Sequence, residues 1–369
     1  MADRSQSSLA EEQQRKDMDP RRIFVVNPGS TSTKLAVFVE ESNVESTTLR
    51  HSSEELSQFK SVWDQFDFRL APCQQWMRAH VRNATAVVGI GGLLRPVTGG
   101  TYFINEKMIA DARANLQGEH ASNLGCALAY ELAKELRCPS YVVDPVSVDE
   151  FECLAHYSGH PLIMRRSLSH ALSIHAAARR AAQELDVPLS NSAFVVAHLG
   201  GGISVAPVLG GKIIDVNDAS SDGPFSPERT GGLPLQPFIS LCFSGEYNES
   251  QMRSLLMGKG GLVAYLGTNS AEEVEKRIEE GDQFAREVYE AMAYQIAKEI
   301  GAMSTVLRGG VSAIVFTGGL ARSQRLTSLI NERVQFIAPV LVYPGDDEMK
   351  ALALGVLRVL RGIERAKEY

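Results

Sequence analysis

Short apolar runs rich in β-branched residues recur along the chain, and polar turns containing glycine or proline follow most of them. The runs lie at residues 23–26, 86–90, 140–143, 194–197, 313–316 and 340–343. They predict buried strands. Stretches with helical spacing of apolar residues lie between them, at 104–116, 124–136, about 170–185 and about 282–308. This alternation of strands and helices predicts an α/β protein.

The first strand-and-turn pattern is repeated near the middle of the chain. Residues 23–26 lead into a polar turn, Asn27–Lys34, of sequence NPGSTSTK, and a second strand follows. Residues 194–197 lead into His198–Ser204, of sequence HLGGGIS, again ahead of a second strand. Close to half of the 369 residues separate the two turns. We therefore predict a duplication in which each half opens with an antiparallel hairpin.

The residue types of these two turns suit the binding of phosphate. Glycine lets the main chain approach a ligand closely, and hydroxyl and amide groups can donate to oxygen atoms. Lys34 adds a positive charge to the first turn, and Gly200–Gly202 leaves bare backbone in the second. The first turn lacks the Walker A pattern. A polar hairpin at a sheet edge and a plain glycine turn remain the alternatives.

Composition and charge narrow the class of protein. The length of 369 residues predicts two domains, and the net charge of −7 argues against a nucleic-acid partner bound through a broad basic surface. Five scattered cysteines without C-x-x-C spacing favour reduced thiols in a cytoplasm. The sequence contains no apolar run of membrane-spanning length, and residues 1–20 are expected to form a polar tail rather than a signal peptide.

Five further residues could contact a ligand. Gly91 and Gly92 begin a glycine-rich loop after a predicted strand, where α/β proteins often bind ligands, although a connector is an equal alternative. Asp144 ends another strand and suits either a contact to a metal or substrate or a helix or turn cap. His170 near a helix start could face an anion or be an ordinary histidine. Arg229 is the natural anion contact of a loop rich in proline and glycine.

Taken in order, these motifs resemble those of the butyrate kinases, in the acetokinase family and the superfamily of acetate and sugar kinases, Hsp70 and actin. Asn27–Lys34, His198–Ser204 and Thr317–Ala321 resemble the first phosphate, second phosphate and adenosine motifs of that superfamily. Further segments match the butyrate kinases more narrowly, and the resemblance runs from about Arg22 to the end of the sequence. The additional matching segments are GGLLRP, VDPVSVDE, GPFSPER and DEMKALA.

The resemblance implies a fold and a reaction. The fold would be two ribonuclease-H-like domains with a nucleotide cleft between them. Residues 21–146 and 348–369 would form an N-terminal domain for the acyl substrate, and residues 147–347 a nucleotide-binding domain. The reaction would be reversible transfer of a phosphoryl group between ATP and butyrate, or a branched short-chain acid, with Mg²⁺ as the metal. We also expect a homo-oligomer, a dimer or larger, without a nucleic-acid or membrane partner.

The resemblance also implies roles for individual residues of this sequence. Arg229 and His170 would hold the transferring phosphoryl group, and Asp144 and Glu348 would orient the substrate or Mg²⁺, together with Asn27 as a metal contact. The nucleotide and its phosphates would contact a larger set: Asn27, Ser30, Ser32, Lys34, His198, Gly200, Gly201, Gly202, Gly318 and Gly319. A carboxylate acceptor is already ionised at neutral pH, so no catalytic base is required.

The sequence departs from the resembled pattern at two positions. Ile90 stands where the butyrate kinases usually have an arginine, and Ser169 stands where most have an aromatic residue. We expect Arg95 to replace the missing arginine as the carboxylate anchor, because a guanidinium can reach and fork onto a carboxylate. We also expect Ile90→Arg to be tolerated, and Gly92 and Ser169 to leave room for a longer acyl chain.

Other functions remain open on the sequence. An acetate or propionate kinase would share the nucleotide motifs but prefer a shorter acid. A sugar kinase would need a base for its hydroxyl acceptor. A non-catalytic ATP-binding module of the same superfamily would hydrolyse ATP slowly and would not use acyl phosphates.

Overall fold

The computed structural model describes residues 20–345 and 347–369, which contain two mixed sheets flanked by helices. The strands are β1 Arg22–Pro28, β2 Ser32–Val39, β3 Ser42–Arg50, β4 Ala86–Ile90, β5 Thr101–Phe103, β6 Ser140–Val143, β7 Ala193–Leu199, β8 Ile203–Leu209, β9 Lys212–Ile213, β10 Ala313–Gly318 and β11 Val340–Pro344. The helices are α1 Ser53–Leu56, α2 Phe66–His80, α3 Glu106–Arg113, α4 Leu124–Leu136, α5 Ala171–Glu184, α6 Leu235–Cys242, α7 Glu249–Leu256, α8 Gly261–Leu266, α9 Ala271–Glu279, α10 Gln283–Val306, α11 Gln324–Val334 and α12 Glu348–Leu360.

These elements fall into two compact units. The described residues of unit one are those up to Arg95, Gly100–Pro145 and Glu348–Tyr369. Unit two contains Pro96–Gly99 and the described residues of Val146–Asp347. The chain therefore leaves unit one twice: briefly at Pro96–Gly99, and again after Pro145, returning through α12.

Unit one is built on a six-stranded sheet with the order β3-β2-β1-β4-β6-β5. Strands β1, β2 and β3 form an antiparallel meander, whereas β1, β4 and β6 run parallel. Residues Ile23–Val26 are fully buried because α4 and α12 both pack on β1. Glycine allows the close approach of a helix here, since a Cβ on Gly125 of α4 would collide with the carbonyl oxygen of Ile90.

Unit two is built on a five-stranded sheet with the order β11-β10-β7-β8-β9. Strands β7, β10 and β11 run parallel, and β8 returns antiparallel to β7. One face is covered by the 24-residue helix α10, whose buried side chains include Met292 and Ile296. The other face is covered by α5, where alanines such as Ala178 and Ala181 let the helix lie close to the sheet.

The sheets confirm the predicted α/β class and the predicted hairpin at the start of each half. Each sheet has an antiparallel three-strand segment whose first strand lies beside parallel strands. The helix expected at about 282–308 is present as α10. Strand β9 is short and ends at Ile213. The predicted tail, except for Pro20, lies outside the described residues.

Among the described helices, none combines the length and the apolar character needed to cross a membrane.

Candidate active site

In unit one, the candidate residues lie where parallel strands end. Because β1, β4 and β6 are parallel neighbours, their carboxyl ends share one edge of the sheet. Asn27 lies at the end of β1, Gly91 follows β4, and Asp144 follows β6. This edge is the usual location of ligand sites in sheets of this kind.

Asn27 and Glu348 are joined by a direct hydrogen bond at this edge. The Asn27 Nδ2 group donates to Glu348 Oε2 at 2.8 Å, although 321 residues separate the two positions. Asn27 is only 7% exposed, and Glu348 is the first residue of α12. The pair offers one carboxylate and one amide oxygen, which are ligand types that Mg²⁺ accepts. The described residues contain no group of three or more metal-binding side chains.

The turn after β1 presents polar side chains to solvent. Ser30 and Lys34 are exposed, and Ser32 is partly exposed. Lys34 lies directly opposite Asn27 in the β1–β2 register, so the two side chains share a face of the sheet. Of these turn residues, Lys34 is therefore placed beside the Asn27–Glu348 pair.

Arg69, which the sequence analysis did not single out, lies beneath this turn. It is fully buried, and its guanidinium donates to the carbonyl oxygens of Gly29 and Ser30 at 2.8 and 3.0 Å. Its position on the buried face of α2, four residues before the buried Cys73, was a possible signal. An arginine in an amphipathic helix usually faces solvent, so the pattern alone did not reveal it.

Asp144 holds a left-handed backbone conformation, with φ of 40°, directly after β6. Its carboxylate is buried and accepts the Gly100 N–H at 2.6 Å, and its own N–H donates to the Gly100 carbonyl at 3.0 Å. This conformation is uncommon outside glycine and is tolerated by aspartate at turns. The side chain is therefore fixed at the edge of the sheet.

Arg95 is already engaged with another carboxylate. Its Nε and Nη2 groups donate to Asp111 at 2.6 and 3.0 Å, and this contact lowers the pKa of Asp111. The Tyr369 hydroxyl donates to Asp111 and accepts the backbone N–H of Arg95, both at 3.1 Å. This arrangement argues against the expectation that Arg95 anchors the substrate, because the guanidinium would have to leave Asp111.

The loop around Gly92 differs from the expected open pocket. A Cβ on Gly92 would collide with Asn123, whose Oδ1 accepts the Leu93 N–H at 2.8 Å. The space beside Gly92 is therefore filled by protein and does not accommodate an acyl chain. Ser169, the other small residue expected to give room, is a buried residue of unit two with 4% exposure.

In unit two, the two candidate histidines stack on each other. The rings of His170 and His198 have centroids 4.0 Å apart and an interplanar angle of 14°. His170 lies at the N-cap of α5, and its Nδ1 is 2.9 Å from Ser204 Oγ. His198 lies directly opposite Ser204 in the β7–β8 register. The hairpin therefore brings both predicted histidines to the glycine turn.

Arg229 packs against the same glycine turn. Its Nη1 donates to the Ala219 carbonyl at 2.9 Å, and a Cβ on Gly202 would collide with its guanidinium. Burial lowers the pKa of Arg229, while Glu228 and Asp218 act in the opposite direction. A largely buried guanidinium beside bare backbone is well suited to contact an anion.

The other glycines differ in what surrounds them. Gly201 is exposed, and a Cβ there would meet its nearest neighbour, Glu228 Oε2, at 3.6 Å. A Cβ on Gly200 would lie 3.1 Å from His198 Nε2, which is a tighter contact. Gly318 has φ of 92°, and a Cβ would collide with the Leu199 carbonyl, whereas Gly319 has open space around it. Gly318 is therefore required by the fold, and Gly201 and Gly319 are not.

The fold is shared with solved structures of acyl kinases. An acetate kinase from Porphyromonas gingivalis aligns with a TM-score of 0.75 and 18% identity, covering 92% of this chain and 100% of that chain. A propionate kinase from Francisella tularensis aligns with a TM-score of 0.74 and 17% identity, covering 90% of this chain and 98% of that chain. At this level of identity, the likeness defines the fold alone.

Sequence comparisons define the family. The model of the acetokinase family matches residues 154–338. A probable butyrate kinase from Listeria monocytogenes is 52% identical over 351 residues, covering 94% of this chain and 99% of that protein. Butyrate kinase 2 from Clostridium acetobutylicum is 49% identical over 352 residues, with the same coverage of both chains. The chain belongs to the acetokinase family. It is a phosphotransferase that uses the carboxyl group of a short-chain acid as acceptor.

The environment of Ile90 predicts that Ile90→Arg destabilises the protein. Ile90 is 8% exposed, and its Cγ2 would lie 2.8 Å from a Cβ on Gly125. A guanidinium here would be buried without a carboxylate, which costs about 3 kcal/mol or more of unfolding free energy. Chemical denaturation should show this loss, whereas Ile90→Val should lose only about 0.5–1.5 kcal/mol. Equal stability of Ile90→Arg and the wild type would restore the earlier expectation of tolerance.

Proposed function

We propose that this phosphotransferase acts on butyrate or a branched short-chain acid, exchanging a phosphoryl group between ATP and the acyl phosphate. Support comes from the relatives named as butyrate kinases, which cover nearly the whole chain at about half identity. The observation that carries the assignment of the site is the assembly of His170, His198 and Arg229 around one glycine turn. These are the groups that phosphoryl transfer requires, because it depends mainly on positioning and charge neutralisation.

The two units would contribute different groups to ligand binding. In this proposal, unit one holds the acyl substrate through Asp144. The turn of unit one that contains Ser30, Ser32 and Lys34 holds phosphate. Unit two holds the nucleotide, with His198 and Gly200–Gly202 at the phosphates and Gly318 and Gly319 at the adenosine. The exposed Gly201 and the open face of Gly319 support this assignment, because both leave backbone accessible to a ligand.

Mg²⁺ fits the Asn27–Glu348 pair. Magnesium commonly binds through one or two carboxylates together with substrate phosphates, and it does not need a cage made only of protein groups. Glu348 would supply the carboxylate and Asn27 its amide oxygen. When bound, the ion would neutralise charge on the phosphate oxygens. The hydrogen bond between Asn27 and Glu348 orients both side chains before any ion binds.

The acceptor chemistry requires few catalytic groups. A carboxylate is ionised at neutral pH, so its oxygen can attack the terminal phosphorus as the bond to ADP breaks. Arg229 and His170 would neutralise charge on the transferred group, and Asp144 would orient the substrate. We do not include Arg95 as the anchor, because its donors are bound to Asp111.

We also expect the protein to act in the cytoplasm as a homo-oligomer. Exposed apolar side chains of unit two support self-association, because burial against a second copy would remove their surface from water. They include Leu162, Ile163, Leu235 and Phe243. Sedimentation of the purified protein would measure the number of copies.

The function is tested by measuring phosphorylation of ADP with acyl phosphates of two to six carbons. We expect the highest kcat/KM with a four-carbon straight or branched acyl group. A maximum at two or three carbons would instead identify an acetate or propionate kinase. Slow ATP hydrolysis without use of any acyl phosphate would identify a non-catalytic nucleotide-binding module.

Arg229→Ala should lower kcat by on the order of a hundredfold or more, because the transferring group loses a charged donor. The KM for ATP should change little. Arg253→Ala is the matched control, since Arg253 is an exposed helix residue of the same unit, paired with Glu249. Turnover equal to that of the control in folded Arg229→Ala would remove Arg229 from the mechanism.

Gly201→Val should weaken ATP binding and leave the fold intact, because a β-branched side chain would occupy the space of a nucleotide phosphate. The structure around Gly201 has room for a Cβ, so the loss of affinity would not reflect misfolding. Calorimetric titration with ATP measures the effect, and Gly159→Val serves as a control in an open loop. Native affinity in Gly201→Val would rule out a phosphate at this turn.

A further inference from the structure

The hydrogen bonds of Arg69 account for most of the carbonyl groups in the turn after β1. The Nη1 group donates to the carbonyl oxygens of Gly29 and Ser32 at 2.8 and 3.2 Å, and Nη2 donates to that of Ser30 at 3.0 Å. The Nη1 group is also 3.3 Å from Thr33 Oγ1. The buried side chain of Arg69 therefore binds three of the four carbonyl groups of residues 29–32.

His51 completes this inner layer. The backbone N–H of His51 donates to the Thr31 carbonyl at 2.9 Å, and its ring Nε2 is 3.0 Å from Thr33 Oγ1. Burial, and next the charge of Arg69, lower the pKa of His51, which favours the neutral ring. The four carbonyl groups of residues 29–32 thus all have partners within unit one.

The direction of these carbonyl groups fixes the direction of the N–H groups. In a trans peptide, the C=O of one residue and the N–H of the next point in opposite directions. The described chain contains no cis peptide bond. The Ser30 and Thr31 N–H groups therefore point away from Arg69, and no described protein atom accepts them. Successive N–H groups directed to one side form a common type of anion-binding site.

The charge of Arg69 is not balanced by a carboxylate. Its remaining donors, Nε and Nη2, contact Gln65 Oε1 at 3.0 and 2.9 Å. Every acceptor within the described residues is thus an amide, carbonyl or hydroxyl oxygen. A guanidinium keeps its proton in proteins even where burial lowers its pKa. A buried charge without a counter-ion is costly for the fold, so it requires another explanation.

We propose that Arg69 is a positioning residue for phosphate binding: it turns the carbonyl groups of Gly29–Ser32 inward, directs the Ser30 and Thr31 N–H groups outward, and places a positive charge behind them. The inference rests on the proposed function, in which this turn binds phosphate. The bound anion is then the missing counter-ion of Arg69. The alternative is a purely structural role in which the guanidinium only ties the turn to α2.

Gln65→Glu separates the two roles without removing any hydrogen bond. A carboxylate at this position can accept from the same Nε and Nη2 groups and balances the buried charge. A structural role predicts equal or higher stability and unchanged ligand binding. A positioning role predicts equal or higher stability together with weaker binding of phosphate ligands. Arg69→Met is less informative, because it leaves the carbonyl groups of Gly29 and Ser30 without a protein donor and destabilises the fold.

The experiment measures the melting temperature and the Kd for MgATP of the full chain by calorimetry, and the KM for butyryl phosphate. We expect Gln65→Glu to melt no lower than the wild type and to bind MgATP on the order of tenfold more weakly, because a local charge near the phosphate is cancelled. Gln75→Glu is the matched control. It adds the same charge to an exposed position of α2 and should leave the affinity unchanged.

The outcomes separate this inference from the proposed function. Native affinity for both MgATP and butyryl phosphate in folded, active Gln65→Glu would overturn the role of Arg69 and leave the enzyme assignment standing. A fall in affinity equal to that of Gln75→Glu would also overturn it, since the effect would then be one of overall charge. A wild type that binds MgATP but transfers no phosphoryl group to any short acid would count against the proposed function alone.

Discussion

Parallel pairing of strands determines where the candidate residues of each unit lie. In unit one, β1, β4 and β6 end at the same edge, so Asn27, Gly91 and Asp144 are brought together whatever their distance in sequence. In unit two, β7 and β10 end together, which places His198 beside the Thr317–Gly318 segment. At such an edge, the last peptide groups have no further strand to pair with and must find other partners.

The turns at the sheet edges of the two units are supported by different kinds of side chain. In unit two, glycine removes side chains, and Arg229 lies where a Cβ on Gly202 would be. In unit one, the turn consists mainly of hydroxyl residues, and a buried arginine binds its carbonyl groups from below. The two hairpin turns are therefore supported by two distinct sets of side chains. The positive charge is close to the turn in both cases, which an overall net charge of −7 does not reveal.

The sequence was sufficient for most strands and for the hairpins, because those depend on local patterns. A continuous run of apolar residues predicted β1, and the run of glycines predicted the second turn. It was not sufficient for contacts between distant segments. The partner of Asn27 lies 321 residues away, and the engagement of Arg95 by Asp111 depends on the fold of α3. Gly92 was expected to give space, but the absence of a side chain there accommodates Asn123.

The glycines show why residue type alone cannot assign a role at such sites. Gly318 and Gly319 are adjacent and were predicted to act alike, yet only Gly318 has a left-handed conformation and a neighbouring carbonyl that excludes a Cβ. Its identity is explained by the fold, as is that of Gly125 against Ile90. For Gly201 and Gly319, backbone packing offers no such explanation, since a Cβ would meet no atom closer than 3.6 Å at the first and none within 4 Å at the second. An exposed turn does not need glycine for its own stability, because glycine increases the conformational entropy lost on folding. Under the proposed function, a ligand that approaches the backbone would explain glycine at these two positions, and a bound phosphate would balance the charge of Arg69.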